Sequence, residues 1–297
     1  MHSVLGVLYA GLVKRPDILH IQAIGPALVT PLARLLGLRV VVTHHGPDYD
    51  RQKWGGFAKW ALRMGERFGM RWANQRIVIS HVIREIVQVN HHCNSVLIPN
   101  GVTLPVIPTH ADALDAFGLQ SGRYVLLVSR LVPEKRHLDL IDAFARTGLV
   151  DWKLAIVGGS DHPDAYVDEV YAAAKKQQNV VCTGFQSGDV LAQLYGHAAI
   201  FVLPSSHEGL PIAMLEALSF GLPVIASDIP ANIEVGLPAE HYFPLGDVDA
   251  LAKCLVCKGS HAMDNSERQR LRIWVAERYN WLEISNQTLE VYLTAIR

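Results

Sequence analysis

The chain has 297 residues, 50% of them hydrophobic and 19% charged, with a formal net charge of −1. Half the residues being apolar excludes a disordered chain, and the near-neutral balance argues against a dedicated nucleic-acid binder, which is usually strongly basic. No apolar run approaches the ~20 residues of a membrane-spanning helix. The run over residues 3–13 is followed, not preceded, by Lys14 and Arg15, the reverse of a secretory signal, so a cytoplasmic chain is expected.

Short β-branched runs at 18–21, 40–43, 76–80 and 96–98 alternate with helical spacing at 27–37, 55–73 and 81–89. The pattern restarts beyond Pro99-Asn100-Gly101. Strands are predicted at 124–129, 153–157, 180–182, 199–203 and 223–227, with helices at 138–147, 165–177, 188–197 and 211–220. This alternation predicts an α/β protein with two Rossmann-like parallel sheets and right-handed crossovers. The restart divides the chain into a first domain over 1–105, a second over 106–275 and a helical segment over 276–297.

Open α/β sheets hold ligands beyond the carboxyl ends of their strands. In the second sheet those ends carry residues 129–135 with Arg130 and Lys135, then Gly158-Gly159-Ser160, Gly184-Phe185, and residues 204–211. A tight turn alone would explain Gly158-Gly159; the cations and carboxylates around it point to a ligand. In HEGLPIAMLEALSFGLPVIASD (207–228), Pro211 suits the first helical position and Gly221 the stop, predicting a helix over 211–220. Glu208 lies just before that helix and Glu216 about a turn and a half inside it. A helix start is a seat for phosphate, and a glutamate beside it can accept hydrogen bonds from sugar hydroxyls. On spacing alone, a dipole-stabilised carboxylate and a solvated glutamate remain an equal alternative.

Two glutamates separated by seven residues within E-G-L-P-x-x-x-L-E-A-L-x-x-G-x-P-V-I-A-S-D resemble the signature of family 4 retaining glycosyltransferases, also called glycosyl transferases group 1. His45-Gly46, Ser80, Pro99-Asn100-Gly101-Val102, Arg130 with Lys135, and the ending ERYNWLEISNQTLEVY (277–292) follow in the same order. The resemblance implies the GT-B architecture and transfer of a sugar from a nucleotide-sugar donor to a glycan or lipid-linked acceptor, as in cell-surface polysaccharide or glycolipid assembly. It implies catalytic roles for His45, Arg130, Lys135 and Glu208. Arg130 and Lys135 match the cations that grip the donor diphosphate, and Glu208 the residue that touches the transferred sugar. Donor contacts are implied for Gly158, Gly184, Phe185, Gly209, Leu210, Ile212 and Glu216, the last on the nucleotide ribose. His45, rather than neighbouring His44, matches the histidine facing the sugar, because it directly precedes Gly46. No cofactor beyond the donor is implied.

Other signals point elsewhere or nowhere. Asp48-Tyr49-Asp50 and Asp247-Val248-Asp249 are D-x-D pairs, but the first follows the histidine loop and Asp247 suits a helix N-cap, so a metal-independent enzyme is expected. Neither a P-loop nor a strand-linked G-x-G-x-x-G is present. Cys254-x-x-Cys257 falls in an apolar-periodic stretch with no second pair, which predicts a buried helix rather than zinc or redox chemistry. His91-His92-Cys93 are adjacent rather than spaced for coordination and predict a surface turn. Between Arg51 and Arg76 seven Lys or Arg stand against one acid, Glu66. Lys59, Arg63, Arg67 and Arg71 recur every four residues, with Phe57, Ala61, Met64 and Phe68 on a neighbouring side and Trp60 between. A basic amphipathic helix over 55–73 suits an anionic membrane surface, and so a peripheral place on the inner face of the cell membrane. The alternative is a solvated basic face whose apolar side lies in the core.

The family's first domain normally opens with a strand and a glycine-rich turn, which have no counterpart before Ser3. The first domain is therefore expected to be incomplete, with its first strand left at an open edge. Ser129 and Arg136 stand where glycines are usual and Thr103 where aspartate is usual; Arg136 would crowd the phosphate loop or add a third cation. Three readings follow: a sugar transferase, a truncated nucleotide-binding remnant without activity, and another two-Rossmann enzyme such as a nucleotide-sugar epimerase or an oxidoreductase.

Overall fold

A computed structural model describes residues 2–50, 55–160, 165–260 and 263–297. The chain divides into two compact units: Met1–Gly101 with Glu208–Leu210 and Trp281–Arg297, and Val102–His207 with Pro211–Asn280.

The first unit opens with α1 (His2–Tyr9) and a π turn, Ala10–Lys14. Its sheet comprises β1 (Leu19–Gln22), β2 (Val40–His44), β3 (Gln75–Val78) and β4 (Val96–Leu97), parallel and in that spatial order. β2 is buried at every position. β1 pairs with β2 alone among the described strands. The helix predicted over 27–37 is two pieces, a 3-10 turn at Pro26–Val29 and α2 (Thr30–Leu35), because Pro31 cannot donate to the preceding turn and starts a new one. α3 (Gly56–Trp72) and α4 (His81–His91) follow. The strand predicted to Ser80 stops at Val78, since the Ser80 hydroxyl accepts from the Ile83 N–H at 3.2 Å and caps α4 instead. His92, at φ 51°, closes α4 in the left-handed conformation, which gives the turn expected for residues 91–93.

The second unit carries the short α5 (Asp112–Asp115), then β5 (Tyr124–Val128), α6 (His137–Arg146), β6 (Lys153–Val157), α7 (Ala165–Lys176), β7 (Val180–Gly184) and α8 (Gly188–Gly196). It continues through β8 (Ile200–Leu203), α9 (Ile212–Ser219), β9 (Val224–Ser227), α10 (Pro230–Ile233), β10 (Tyr242–Phe243), α11 (Val248–Gly259) and α12 (Asn265–Arg278). The six strands are parallel in the order β10-β9-β8-β5-β6-β7. The near-continuous apolar runs in β5, β6 and β8 are buried almost throughout, as strands covered by helices on both faces must be. Asp247 caps α11 by accepting from the Ala250 N–H at 2.8 Å. The cysteines on α11 are not the buried pair expected: Cys254 is half-buried and Cys257 exposed, because Leu251 and Leu255 take the core-facing positions. α12 starts with a capping box between Asp264 and Glu267.

α13 (Trp281–Ile296) belongs to the first unit. Its Ile284, Val291 and Ala295 form one apolar cluster with Val41, Ile77 and Ile98 of the first sheet.

Candidate functional site

In the second sheet the chain runs outward from β5 in both directions, to β6 on one side and β8 on the other. This is the topological switch point, where loops leaving the carboxyl ends of neighbouring strands part and open a crevice. The loop after β5 carries Arg130, whose side is exposed, and Lys135 at the end of a 3-10 turn, Pro133–Lys135. The turns are laced by backbone hydrogen bonds: Ser129 N–H to Val157 O at 2.9 Å, Leu131 N–H to Gly159 O at 2.9 Å, and Gly158 N–H to Gly184 O at 2.9 Å. Gly158 sits at φ 137°, and a Cβ there would lie 1.8 Å from the Ser129 carbonyl oxygen, so no other residue fits. The loop after β8 joins the cation loop through the Ser206 N–H, which donates to Glu134 O at 2.8 Å. Phe185, just past β7, leaves its ring 77% exposed at the rim.

Two departures from the family pattern are accommodated here. Ser129 Oγ lies 2.9 Å from Nε2 of buried His137, whose Nδ1 is 3.1 Å from the Tyr166 hydroxyl. Burial, with the Lys135 charge nearby, pushes the His137 imidazole down to about 3, so it is neutral. Arg136 takes the left-handed conformation at φ 51° and turns its guanidinium onto Asp139 at 2.6 Å. This charge is paired at the start of α6.

The helix predicted over 211–220 begins one residue later. Pro211 has φ −78° and ψ 79° and stands outside α9 as its cap, its carbonyl accepting from the Met214 and Leu215 N–H groups. Pro211 therefore supplies the acceptor that closes the first turn, and the N–H of Ile212 starts the helix without an intrahelical partner. Glu216 follows on α9, half-buried, with Oε2 accepting from the Tyr195 hydroxyl at 3.0 Å. Burial raises the Glu216 carboxyl from its ordinary value, and the Tyr195 hydrogen bond partly offsets that. Tyr195 is itself buried and stacks on Phe220 at 5.1 Å between ring centres.

In the first unit, His45 follows β2 and its Nε2 lies 2.7 Å from Gln22 Oε1 at the end of β1. A carbonyl oxygen only accepts, so Nε2 carries the proton and Nδ1 presents its lone pair. Burial and neighbouring His44 lower the His45 imidazole from its ordinary value, with Asp48 opposing, so it is neutral at pH 7. Behind Gln22 stands His20, with Nδ1 at 2.7 Å from the Tyr292 hydroxyl of α13 and Nε2 at 2.7 Å from the Thr43 hydroxyl. His44, fully buried, points the other way and meets Glu66 of α3 at 2.8 Å. Glu208, Gly209 and Leu210 group with this unit. At Gly209 a Cβ would fall 2.1 Å from the His45 carbonyl oxygen, which restricts this position to glycine.

α3 has two sides, as the amphipathic reading expects: Arg63, Arg67 and Arg71 are exposed and Ala61, Met64 and Phe68 half-buried. Its buried side is Gly65, Glu66, Gly69 and Met70; a Cβ at Gly65 would lie 2.1 Å from the Ile24 carbonyl oxygen, and one at Gly69 2.9 Å from Ala27 Cβ. Phe57 is instead 80% exposed and Trp60 57% exposed, stacked on each other at 5.8 Å. At the start of the helix these two aromatic residues reach solvent, while further along the glycines let the helix backbone approach the turn beneath it. Arg51 and Lys53, counted in the basic stretch, lie outside the described residues.

Within the second unit, then, Arg130, Gly158, Gly184 and Phe185 are at the strand ends, Lys135 closes a turn in the loop after β5, and Ile212 and Glu216 lie on α9; in the first, His45 is joined by Glu208, Gly209 and Leu210. Sequence reasoning missed Gln22, Glu66 and Tyr195. Gln22 closes an edge strand, and Tyr195 reads as an ordinary core aromatic. Glu66 carries one signal that could have found it, a lone acid flanked by glycines four residues apart. Among the described residues no three His, Cys, Asp or Glu side chains are grouped to hold a metal ion, and no helix is long and apolar enough to cross a membrane.

Two parallel Rossmann-like sheets with these strand-end loops define the GT-B class of glycosyltransferase fold. The chain matches the model of Glycosyltransferase Family 4 over residues 6–104 and that of Glycosyl transferases group 1 over residues 116–255. It belongs to these glycosyltransferases. It is 31% identical over 191 residues to lipopolysaccharide 1,6-galactosyltransferase of Salmonella typhimurium, covering 60% of this chain and 50% of that enzyme. It is 24% identical to the UDP-Gal:alpha-D-GlcNAc-diphosphoundecaprenol alpha-1,3-galactosyltransferase of Escherichia coli, covering 95% and 76%. Among solved structures, HepE of Anabaena in complex with UDP and glucose superposes with a TM-score of 0.81 at 18% identity, over 97% of this chain and 80% of that one. The chain spans about half the length of the first curated relatives it matches.

Proposed function

We propose that the chain is a retaining, metal-independent glycosyltransferase that moves a sugar from a nucleotide-sugar donor to a glycan or lipid-linked acceptor in cell-surface polysaccharide or glycolipid assembly. The observation that carries this reading is the placement of Arg130 and Lys135 on the loop after β5 and of Glu216 within α9, the helix after β8, beside the switch point of the second sheet. HepE was solved with UDP and glucose, and the Escherichia coli relative acts on a diphosphoundecaprenol-linked sugar; a donor and acceptor of those kinds are assigned here.

As the bond between the sugar and the diphosphate breaks, negative charge collects on the departing phosphate and positive charge on the sugar. Arg130 and Lys135 meet the phosphate charge, a kind of preorganised stabilisation whose loss costs about 3–4 kcal/mol per group. The N–H groups of Gly209, Leu210 and Ile212 donate to phosphate oxygens, while Pro211 has none to give. Glu216 accepts hydrogen bonds from the ribose hydroxyls, oriented by Tyr195. Glu208 and the neutral His45, through the lone pair on Nδ1, hold hydroxyls of the transferred sugar. Gly158, Gly184 and Phe185 line the turns on the donor side.

α3 is the membrane-facing element of the reading. Exposed Phe57 and Trp60 beside Lys59 and Arg63 form the aromatic-and-cation face that suits the boundary between lipid headgroups and acyl chains, on the inner face of the membrane. Vesicle binding by the chain is expected to rise with anionic lipid and fall with salt; indifference to both would end this part of the proposal.

The test of the whole is transfer and binding by the purified chain with UDP- and GDP-sugars. Glu216→Ala should weaken nucleotide binding, and His45→Ala should spare binding and remove transfer, with chelators having no effect. Parent-like nucleotide binding by both variants would overturn the site. Nucleotide binding without hydrolysis or transfer would favour a binding remnant, and epimerised free donor or reduced-nicotinamide turnover a different two-Rossmann enzyme.

A further inference from the structure

Glu66 is the single acid in a strongly basic stretch, yet it is 4% exposed and lies on the inner side of α3. A buried carboxylate away from the strand ends needs a reason, because burying a charge is costly unless it is paired and hydrogen-bonded. Its partners stand on both sides of the turn that holds His45. Before the turn, His44 Nε2 is 2.8 Å from Glu66 Oε1. After it, the Tyr49 hydroxyl donates to the same oxygen at 3.3 Å. The other oxygen, Oε2, is 3.3 Å from Nε2 of His91 at the end of α4.

The proton arrangement follows from one further contact. The Gly46 N–H donates to His44 Nδ1 at 3.0 Å, so Nδ1 must be the acceptor nitrogen and Nε2 the protonated one. Glu66 therefore accepts from His44 Nε2–H, and His44 in turn accepts from the backbone directly after His45. Burial alone would raise the Glu66 carboxyl; the hydrogen bond from His44, with the His91 imidazole close by, outweighs it and holds the group at about 2, ionised. Gly46 has φ 138°, a backbone that would otherwise be free to flip, and its N–H is fixed by this bond.

We propose that Glu66 and His44 are positioning residues for sugar transfer: Glu66 selects the His44 tautomer, His44 Nδ1 fixes the Gly46 amide, and together they set where His45 presents its imidazole. A carboxylate that only filled a hole in the core would need no link to the turn, whereas here the partner imidazole also holds the Gly46 amide. Here the tautomer and the turn are one arrangement. The kinetic part of this proposal rests on the transferase reading above; the tautomer part does not.

The test has two arms. In the first, nitrogen NMR of the histidine-labelled chain should show His44 with Nδ1 unprotonated and Nε2 protonated, and this pattern should be lost in Glu66→Ala. A protonated Nδ1 in the parent overturns the proposal, whatever the variants do. In the second, Glu66→Ala should lower kcat with UDP-glucose, UDP-galactose or GDP-mannose, whichever the chain turns over, by about 10- to 100-fold, the scale expected for a displaced reacting geometry. The Kd for UDP or GDP should stay within about twofold. Glu66→Gln keeps an oxygen acceptor for His44 and should recover kcat to within about threefold of the parent. Parent-like kcat in Glu66→Ala, or equal loss in Ala and Gln, would sink the proposal. Should Glu66→Ala not fold, the parent's tautomer and the Gln variant decide alone. A parent that turns over none of these donors would instead defeat the transferase reading and leave the NMR result to decide the tautomer.

Discussion

The two sheets hold their strand-end residues by different means. In the second, turn is tied to turn through the backbone: Ser129 to Val157, Leu131 to Gly159, Gly158 to Gly184, Ser206 to Glu134. In the first, the turn after β2 is held by side chains, with buried His44 and Glu66 on one side of His45 and exposed Gln22 on the other. A backbone lattice tolerates changes of side chain but not of glycine. A side-chain lattice fails when any one member is removed. The difference says where each half can be broken by a single substitution.

The largest effect is expected at the cations, which the lattice presents but does not contain. Arg130→Ala should cut sugar transfer by about 10²- to 10³-fold while circular dichroism and melting stay near the parent; a loss under about tenfold would remove Arg130 from the reaction. Gly158→Ala tests the lattice itself. It puts a Cβ against the Ser129 carbonyl at a left-handed φ, and should cost about 3 kcal/mol in denaturant unfolding together with nucleotide affinity. In the first unit, Gln22→Ala leaves the fold nearly unchanged but frees the His45 ring, and kcat should fall about tenfold at constant donor KM, the scale of one hydrogen bond.

Smaller effects sharpen the contrast. Tyr195→Phe removes the hydroxyl that partly offsets the upward push of burial on Glu216. The Glu216 carboxyl should then rise further, so nucleotide affinity should begin to fail at a higher pH as the solution is acidified. A pH profile unchanged from the parent would detach Tyr195 from the ribose contact. Arg136→Gly should leave nucleotide affinity unaltered, because this guanidinium faces Asp139, and should shift stability by no more than about 1 kcal/mol as relief of the left-handed backbone offsets a lost surface ion pair. A clear loss of affinity would show Arg136 to be a donor cation after all.

Much of the fold was legible because its signals are local. β-branched runs such as YVLLV and KLAIV, each followed by a helical period, carry strand identity, parallel pairing and crossover in consecutive residues. Several donor-side residues share this property: Arg130, Gly158, Gly184 and Phe185 lie at or within two positions of a strand's carboxyl end. Pro211 shows the limit of such reasoning: proline suits a first helical position and a cap equally, and its ψ of 79° decides for the cap. What could not be read depends on partners far away in the chain. Gln22 and His45 are 23 residues apart, His20 and Tyr292 are 272 apart. For α3 the charges were read as one face, whereas its packing side is set by Gly65 and Gly69, which amphipathic patterns built on large apolar residues overlook.

That glycine side has a geometric consequence. A helix resting on two glycines offers few side chains to stop it rolling about its axis, and a roll of one residue is about 100°. Glu66, between those glycines, acts as the key in that shaft: its bonds to His44 and Tyr49 fix the rotational phase of α3. The phase in turn decides that Phe57 and Trp60 look outward. The glycines choose the side that packs, and the carboxylate between them ties that side to the turn after β2.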